Sequence, residues 1–226
     1  MALGNTNREN SDHKLFILKI RTKVIEKETG KEVPAVPHVM QVLEKVEGKW
    51  VAQDETITSF SGNLAKIEFD SGEWEGSKYD IIKLKFIDDE AKEDYLLDCR
   101  TSSDFRSLAN SILALDPANT ADLRINLYKT TSKANGKDYS NVSLWQGETH
   151  VKGKYTWEEM PAVEKVKFKG KDMSDTSKLD EWTIGKLKEF AAQMGPAPRK
   201  EVAQKTESAG DYKDVGPGLG DDEIPF

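Results

Sequence analysis

From His13 to Trp157 polar and apolar residues mostly alternate, with β-branched and aromatic side chains at many apolar positions and Gly, Pro, Asn or Asp breaking the runs. Such alternation predicts strands rather than helices. In Lys14 to Glu28, residues Phe16, Leu18, Ile20, Thr22 and Val24 fall on one face and Lys19, Arg21 and Lys23 on the other. Val39 to Val46 and Lys49 to Asp54 flank Glu47-Gly48 as a hairpin. Asn63 to Asp70 and Tyr79 to Ile87 follow, separated by a Gly-rich loop holding Trp74. In the second of these, Ile82, Leu84 and Phe86 oppose Lys83 and Lys85, and Tyr95 to Cys99 adds a short strand.

The period then changes. Ser103 can cap a helix from Asp104 to about Leu115, where Phe105, Leu108, Ile112 and Leu115 form an apolar stripe ended by Asp116-Pro117. A second helix is predicted from about Thr183 to Gln193, stopped by Gly195-Pro196. Between them, Leu123 to Thr131 and Asp138 to Gln146 flank Asn135-Gly136, a strong hairpin signal. A two-residue loop there pairs Ala134 with Lys137, Leu127 with Leu144 and Tyr128 with Ser143. Leu123, Ile125, Leu127, Val142 and Leu144 then face the core. Arg124, Asn126, Tyr128, Tyr139, Asn141, Ser143 and Trp145 share the other face.

Composition changes emphasis toward the ends. Residues 1–13 are polar, and from Met194 onward apolar residues thin out, so a flexible N-terminus, a folded body over 14–193 and a disordered linker and tail over 194–226 are expected. The chain carries a net charge of −7, but residues 203–226 hold six acids against two lysines, so −4 of it lies there and −3 in the rest. A nucleic-acid site on the body must therefore be a local patch. The single cysteine, Cys99, excludes an intramolecular disulfide. With no secretory signal pattern at the start and no apolar run long enough to span a bilayer, a cytoplasmic setting is expected and no membrane partner.

The chain ends Asp221-Asp222-Glu223-Ile224-Pro225-Phe226. A terminal Phe offers a partner both a ring and an α-carboxylate, and Pro225 lowers the ordering cost of docking. This string closely resembles the acidic tip of bacterial and phage single-stranded DNA-binding proteins, which typically reads Asp-Asp-Asp-Ile-Pro-Phe and recruits replication and repair proteins. The body, with several strands, one helix and then a long hairpin, looks like an oligonucleotide-binding (OB) fold: a five-stranded Greek-key β-barrel, here with additional hairpins and a C-terminal helix. The phage branch of that family, with its decorated barrel and acidic tail, is the nearer resemblance. A 24-residue flexible tail reaches roughly 25 to 30 Å, far enough to return to a body with a radius of gyration near ~16 Å. The tip is therefore also expected to compete with DNA for the cleft.

Single-stranded DNA presents base faces beside a line of phosphates, so a sequence-tolerant binder needs aromatic platforms next to cations. The outward strand faces supply both. Candidate DNA-binding residues are Lys19, Arg21 and Lys23; Lys83 and Lys85; Arg124, Tyr128, Tyr139 and Trp145; Lys133 and Lys137 at the hairpin tip; and Lys152, Lys154, Tyr155 and Trp157 after it. Ordinary packing competes with this reading, since Lys on a strand face is commonly just solvated and Tyr155 and Trp157 can pack on the terminal helix. His13, His38 and His150 have no metal-ligand spacing, and no phosphate loop or nucleophile elbow occurs, so neither catalysis nor a cofactor is expected. A non-catalytic protein-interaction barrel is the main alternative. A metal-dependent nuclease using Asp88-Asp89 or Glu158-Glu159 is a weaker one. Binding of duplex DNA and homodimerisation through free strand edges stay open.

Overall fold

A computed structural model describes residues 13–25, 29–74, 76–168 and 171–195. The acidic tip and its linker from residue 196, and the first 12 residues, lie outside the described residues, and so do the expectations placed on them. The chain is mainly β. Strands β1 (Lys14–Ile25), β2 (Glu32–Val46), β3 (Lys49–Ile57), β4 (Ser59–Trp74), β5 (Ser77–Asp88) and β6 (Glu93–Arg100) precede helix α1 (Ser103–Ile112). After it come β7 (Leu123–Thr131), β8 (Asp138–Gln146), β9 (Thr149–Val151), a 3-10 turn (Trp157–Glu159), β10 (Glu164–Phe168), β11 (Lys171–Asp175) and helix α2 (Ser177–Gln193).

Among the described residues nine strands form one sheet in the order β3-β2-β1-β6-β5-β4-β7-β8-β9, and β10 and β11 pair only with each other. All pairings are antiparallel except β1 with β6, where Phe16 lies opposite Tyr95 and Leu18 opposite Leu97. The expected closed five-stranded barrel is thus corrected to an open sheet, because β1 occupies the edge of β6 and brings β2 and β3 with it. The sheet nevertheless curls. The β1–β2 ladder slips after Arg21, which pairs with Val39, while Lys23 pairs with Pro34. Pro34 and Pro37 have no N–H to give a ladder, and the stretch they bracket turns away toward the other end of the sheet. There the His38 N–H donates to Ser140 Oγ of β8 at 2.9 Å, and His38 Nδ1 lies 2.5 Å from the buried Asp104 carboxylate of α1.

Inside the curl, period-2 residues meet. Leu18, Met40, Leu64, Ile82, Leu84, Phe86, Leu97, Leu123, Ile125 and Leu144 are buried together, with Phe60 edge-on to Phe86 at 5.0 Å between ring centroids. Phe105, Leu108 and Ile112 of α1 and Leu187 and Phe190 of α2 close that core. Ser102, not Ser103, caps α1 by accepting from Phe105 N–H. Helix α2 begins at Ser177, six residues before the expected Thr183, and Asp180 in its first turn pairs with Arg106 of α1 at 2.7 Å. Cys99 is buried, and loss of hydration raises its thiol pKa well above the ordinary range. Thiol labelling of the native protein is therefore expected to be slow and to accelerate in step with global unfolding in urea. Rapid labelling without denaturant would contradict this placement.

Candidate nucleic-acid interface

The β7–β8 hairpin carries the aromatic face that the alternation predicts, in a different register. Arg124 lies opposite Trp145, Asn126 opposite Ser143, Tyr128 opposite Asn141 and Thr130 opposite Tyr139. The expected pairs Leu127 with Leu144 and Tyr128 with Ser143 are corrected by two residues, Leu127 standing opposite Val142. The reason is the turn. A two-residue type I′ loop needs positive φ at both central residues, and here only Gly136 has it, at φ 65°. The loop is instead Lys133 to Gly136, closed by Ser132 N–H donating to Lys137 O at 2.8 Å and Gly136 N–H to Ser132 O at 2.9 Å. Glu47-Gly48 does have positive φ at both positions, 50° and 81°, and forms the two-residue turn between β2 and β3. A slip of two preserves side-chain parity, so Arg124, Tyr128, Tyr139 and Trp145 still share the outer face.

Side chains on that face are held by each other. Arg124 Cζ lies 5.4 Å from the Trp145 ring centroid, and Trp145 Nε1–H donates to Ser143 Oγ at 3.2 Å. His150 of β9 stands opposite Trp145, with ring centroids 5.2 Å apart. Toward the tip, Asn135 Nδ2 donates to the Tyr139 hydroxyl at 3.0 Å. Tyr128 and Tyr139 remain 41% and 47% exposed, which leaves ring area for a stacked base. Below them Asp138 accepts from Thr131 Oγ1–H and Lys129 Nζ, and these bonds hold its carboxyl below the usual carboxylate range.

The candidate cations divide into two groups. Lys19 pairs with Asp98 at 3.7 Å, Lys23 with Glu32 at 2.9 Å, Lys83 with Asp70 at 2.8 Å and Lys85 with Asp94 at 3.1 Å. A hydrogen bond from Lys83 and another from Ser71 N–H lower the Asp70 pKa, and the same contact raises that of Lys83. Carboxylates on neighbouring strands therefore stand beside all four of these candidate lysines and compete with phosphate for them. By contrast Arg124, Lys133, Lys137, Lys152 and Lys154 make no ion pair among the described residues. Arg21 donates from Nε and Nη2 to the neutral Gln41 Oε1 and lines a cleft of about 910 Å³ between β1, β2 and β3.

After β9 the chain turns under α1. Asn110 Nδ2 donates to Tyr155 O at 2.9 Å, Tyr155 N–H donates to Asn110 Oδ1 at 3.0 Å, and Lys154 N–H donates to Asn110 O at 3.1 Å. This clamp positions Lys152 and Lys154, which are exposed. Tyr155 is half-buried and packs edge-on against Trp182 of α2 at 4.9 Å, the packing on the terminal helix that competes with a binding role. Trp157 is 75% exposed.

Sequence reasoning missed His150, Asn110 and a further aromatic and cation pair, Tyr79 with Arg100. The Tyr79 ring lies across Gly72, where an added Cβ would come 2.4 Å from it, and Arg100 Cζ is 4.3 Å from its centroid. The signal was Gly72 opposite Tyr79 in the β4–β5 register. Of the carboxylates considered for metal chemistry, Asp88 accepts from Glu90 and Ala91 N–H within its turn, and Glu159 accepts from Thr156 N–H in a capping box. No helix among the described residues is long and apolar enough to cross a membrane. No family model, curated protein or solved structure matches the chain.

Proposed function

We propose that this protein is a non-catalytic, sequence-tolerant single-stranded DNA-binding protein whose C-terminal tip, Asp221 to Phe226, recruits replication, recombination and repair proteins. The observation that carries the proposal is the β7–β8 outer face, where exposed aromatics stand beside cations that make no ion pair among the described residues. Stacking offers roughly 1 to 3 kcal/mol per base, whichever base it is, so two or three platforms suffice for useful affinity. The strand order supports an oligonucleotide-binding topology. Reading β4, β5, β6, α1, β7 and β8 in chain order, the spatial order β6-β5-β4-β7-β8 is compatible with a Greek key of that kind left open, since β1 and not the last strand pairs with β6. The tip rests on its family resemblance alone.

A second reading, a protein-interaction sheet, draws on the β1–β6–β5 outer face, whose ion-paired lysines border half-buried Ile17, Ile87 and Leu96. Titration with oligo(dT) at several salt concentrations, following Trp emission, separates the two. A DNA binder quenches, and its affinity falls with salt by about 0.7 in the log-log slope per neutralised phosphate. Lys83→Ala is expected to leave that slope nearly unchanged, while Arg124→Ala lowers it. Absence of binding at low salt rejects the proposal and favours the interaction sheet; Mg²⁺-dependent cleavage of the oligonucleotide rejects the non-catalytic assignment.

A further inference from the structure

Between Glu164 and Lys171 the sequence places lysine at 165, 167, 169 and 171 with Val166 and Phe168 between them. In the β10–β11 ribbon Lys165 lies opposite Ser174, Val166 opposite Met173 and Lys167 opposite Asp172. Alternation therefore gives one face Lys165 and Lys167 with Ser174 and Asp172, and the other Val166 and Met173. Among the side chains described, neither face is covered. Both lysines are exposed, and Val166 and Met173 remain 39% and 51% exposed. A lone two-stranded ribbon is marginal in water because it buries so little, so one that hides neither face is arranged for contact.

Electrostatics point to the kind of contact. The acids at the base of the ribbon are already engaged: Glu164 accepts from Lys178 Nζ at 2.5 Å, and Asp175 accepts from Ser177 N–H at 2.9 Å and from its hydroxyl at 2.7 Å. Lys165 and Lys167 make no ion pair among the described residues. Residues two apart on a strand are about 6.8 Å apart along it, comparable with successive phosphates on an extended nucleic-acid strand. The ribbon also follows Lys152, Lys154 and exposed Trp157 in the chain, which continues the cationic and aromatic series beyond β9.

We propose that the β10–β11 ribbon is a second nucleic-acid contact, an arm whose Lys165 and Lys167 face takes strand phosphates while Val166 and Met173 offer apolar contact to sugars or bases. This rests on the single-stranded DNA reading and extends the bound strand past the β7–β8 face. The test is oligo(dT) titration of the full chain carrying Lys165→Gln and Lys167→Gln, over a range of salt, beside wild type and the Lys165→Arg, Lys167→Arg variant. Loss of two phosphate contacts lowers the log-log slope by about 1.4, which is about 25-fold in affinity at 0.1 M salt relative to 1 M. The Arg variant keeps the wild-type slope, and the Trp quench at saturation persists in both. Wild-type slope and affinity in the Gln variant overturn the arm alone, whereas failure of wild type to bind overturns the DNA reading with it. Unchanged DNA binding with altered sedimentation of the Gln variant makes the ribbon a protein-contact arm instead, and also overturns the proposal.

Discussion

Replacing Tyr128 and Trp145 together by alanine is expected to weaken oligo(dT) binding by about 2 to 6 kcal/mol, from roughly thirtyfold to over ten-thousandfold, because each stacked base contributes roughly 1 to 3 kcal/mol. The two residues differ in what else they do. Trp145 is half-buried between Arg124 and His150, so its loss also disturbs the cation beside it. Tyr128 is exposed and makes no such contact among the described residues, so its share reports stacking more directly. Tyr128→Ala with Tyr139→Ala serves as the companion variant, since both rings stand at the surface and their removal leaves the core intact. The salt slope should stay near wild type in that pair, because no cation is lost. Full affinity in the separate Tyr128→Ala, Tyr139→Ala and Trp145→Ala proteins would remove this face from the binding site.

The largest expected stability effect lies one strand system away. Phe86 of β5 is fully buried against Phe60, and Phe→Ala in such a site costs about 3 to 5 kcal/mol through lost transfer energy and an unfilled cavity. Domains of this kind are stable by only about 5 to 15 kcal/mol, so Phe86→Ala should move the urea midpoint sharply downward. Lys83, three residues earlier on the opposite face, gives the contrast. Its partner Asp70 is at the surface, where an ion pair is worth about 0 to 1 kcal/mol. A Phe86→Ala midpoint no lower than that of Lys83→Ala would contradict the inward and outward alternation of β5.

That alternation was legible in the central strands, although Thr22, expected on the inward face of β1, is exposed. Ile82, Leu84 and Phe86 point in and Lys83 and Lys85 out, as period 2 requires, and the aromatic face of the β7–β8 hairpin survived a wrong register because the slip was even. The slip itself was hidden, since whether Asn135 takes positive φ depends on the conformation of the whole loop and not on the Asn-Gly dipeptide. Other features fell below the reach of a local pattern. Strand β9 has three residues, too few to show a period. The strand expected from Val39 begins at Glu32, and its ladder with β1 slips between Arg21 and Lys23.

What the sequence by itself determined is the set of faces: which residues alternate inward, where the helical period interrupts, and that Arg124, Tyr128, Tyr139 and Trp145 stand on one side of one hairpin. Parity and period are properties of neighbouring residues, so no knowledge of distant partners is needed to read them. Only the tertiary structure decided that β1 lies beside β6 and leaves the sheet open, and that Lys19, Lys83 and Lys85 are matched by Asp98, Asp70 and Asp94. Those outcomes depend on which strands lie side by side. A lysine on an exposed strand reads the same in sequence whether its neighbour is a carboxylate or water, and the pairing of strands far apart in the chain makes the difference between a neutral face and one free to meet phosphate.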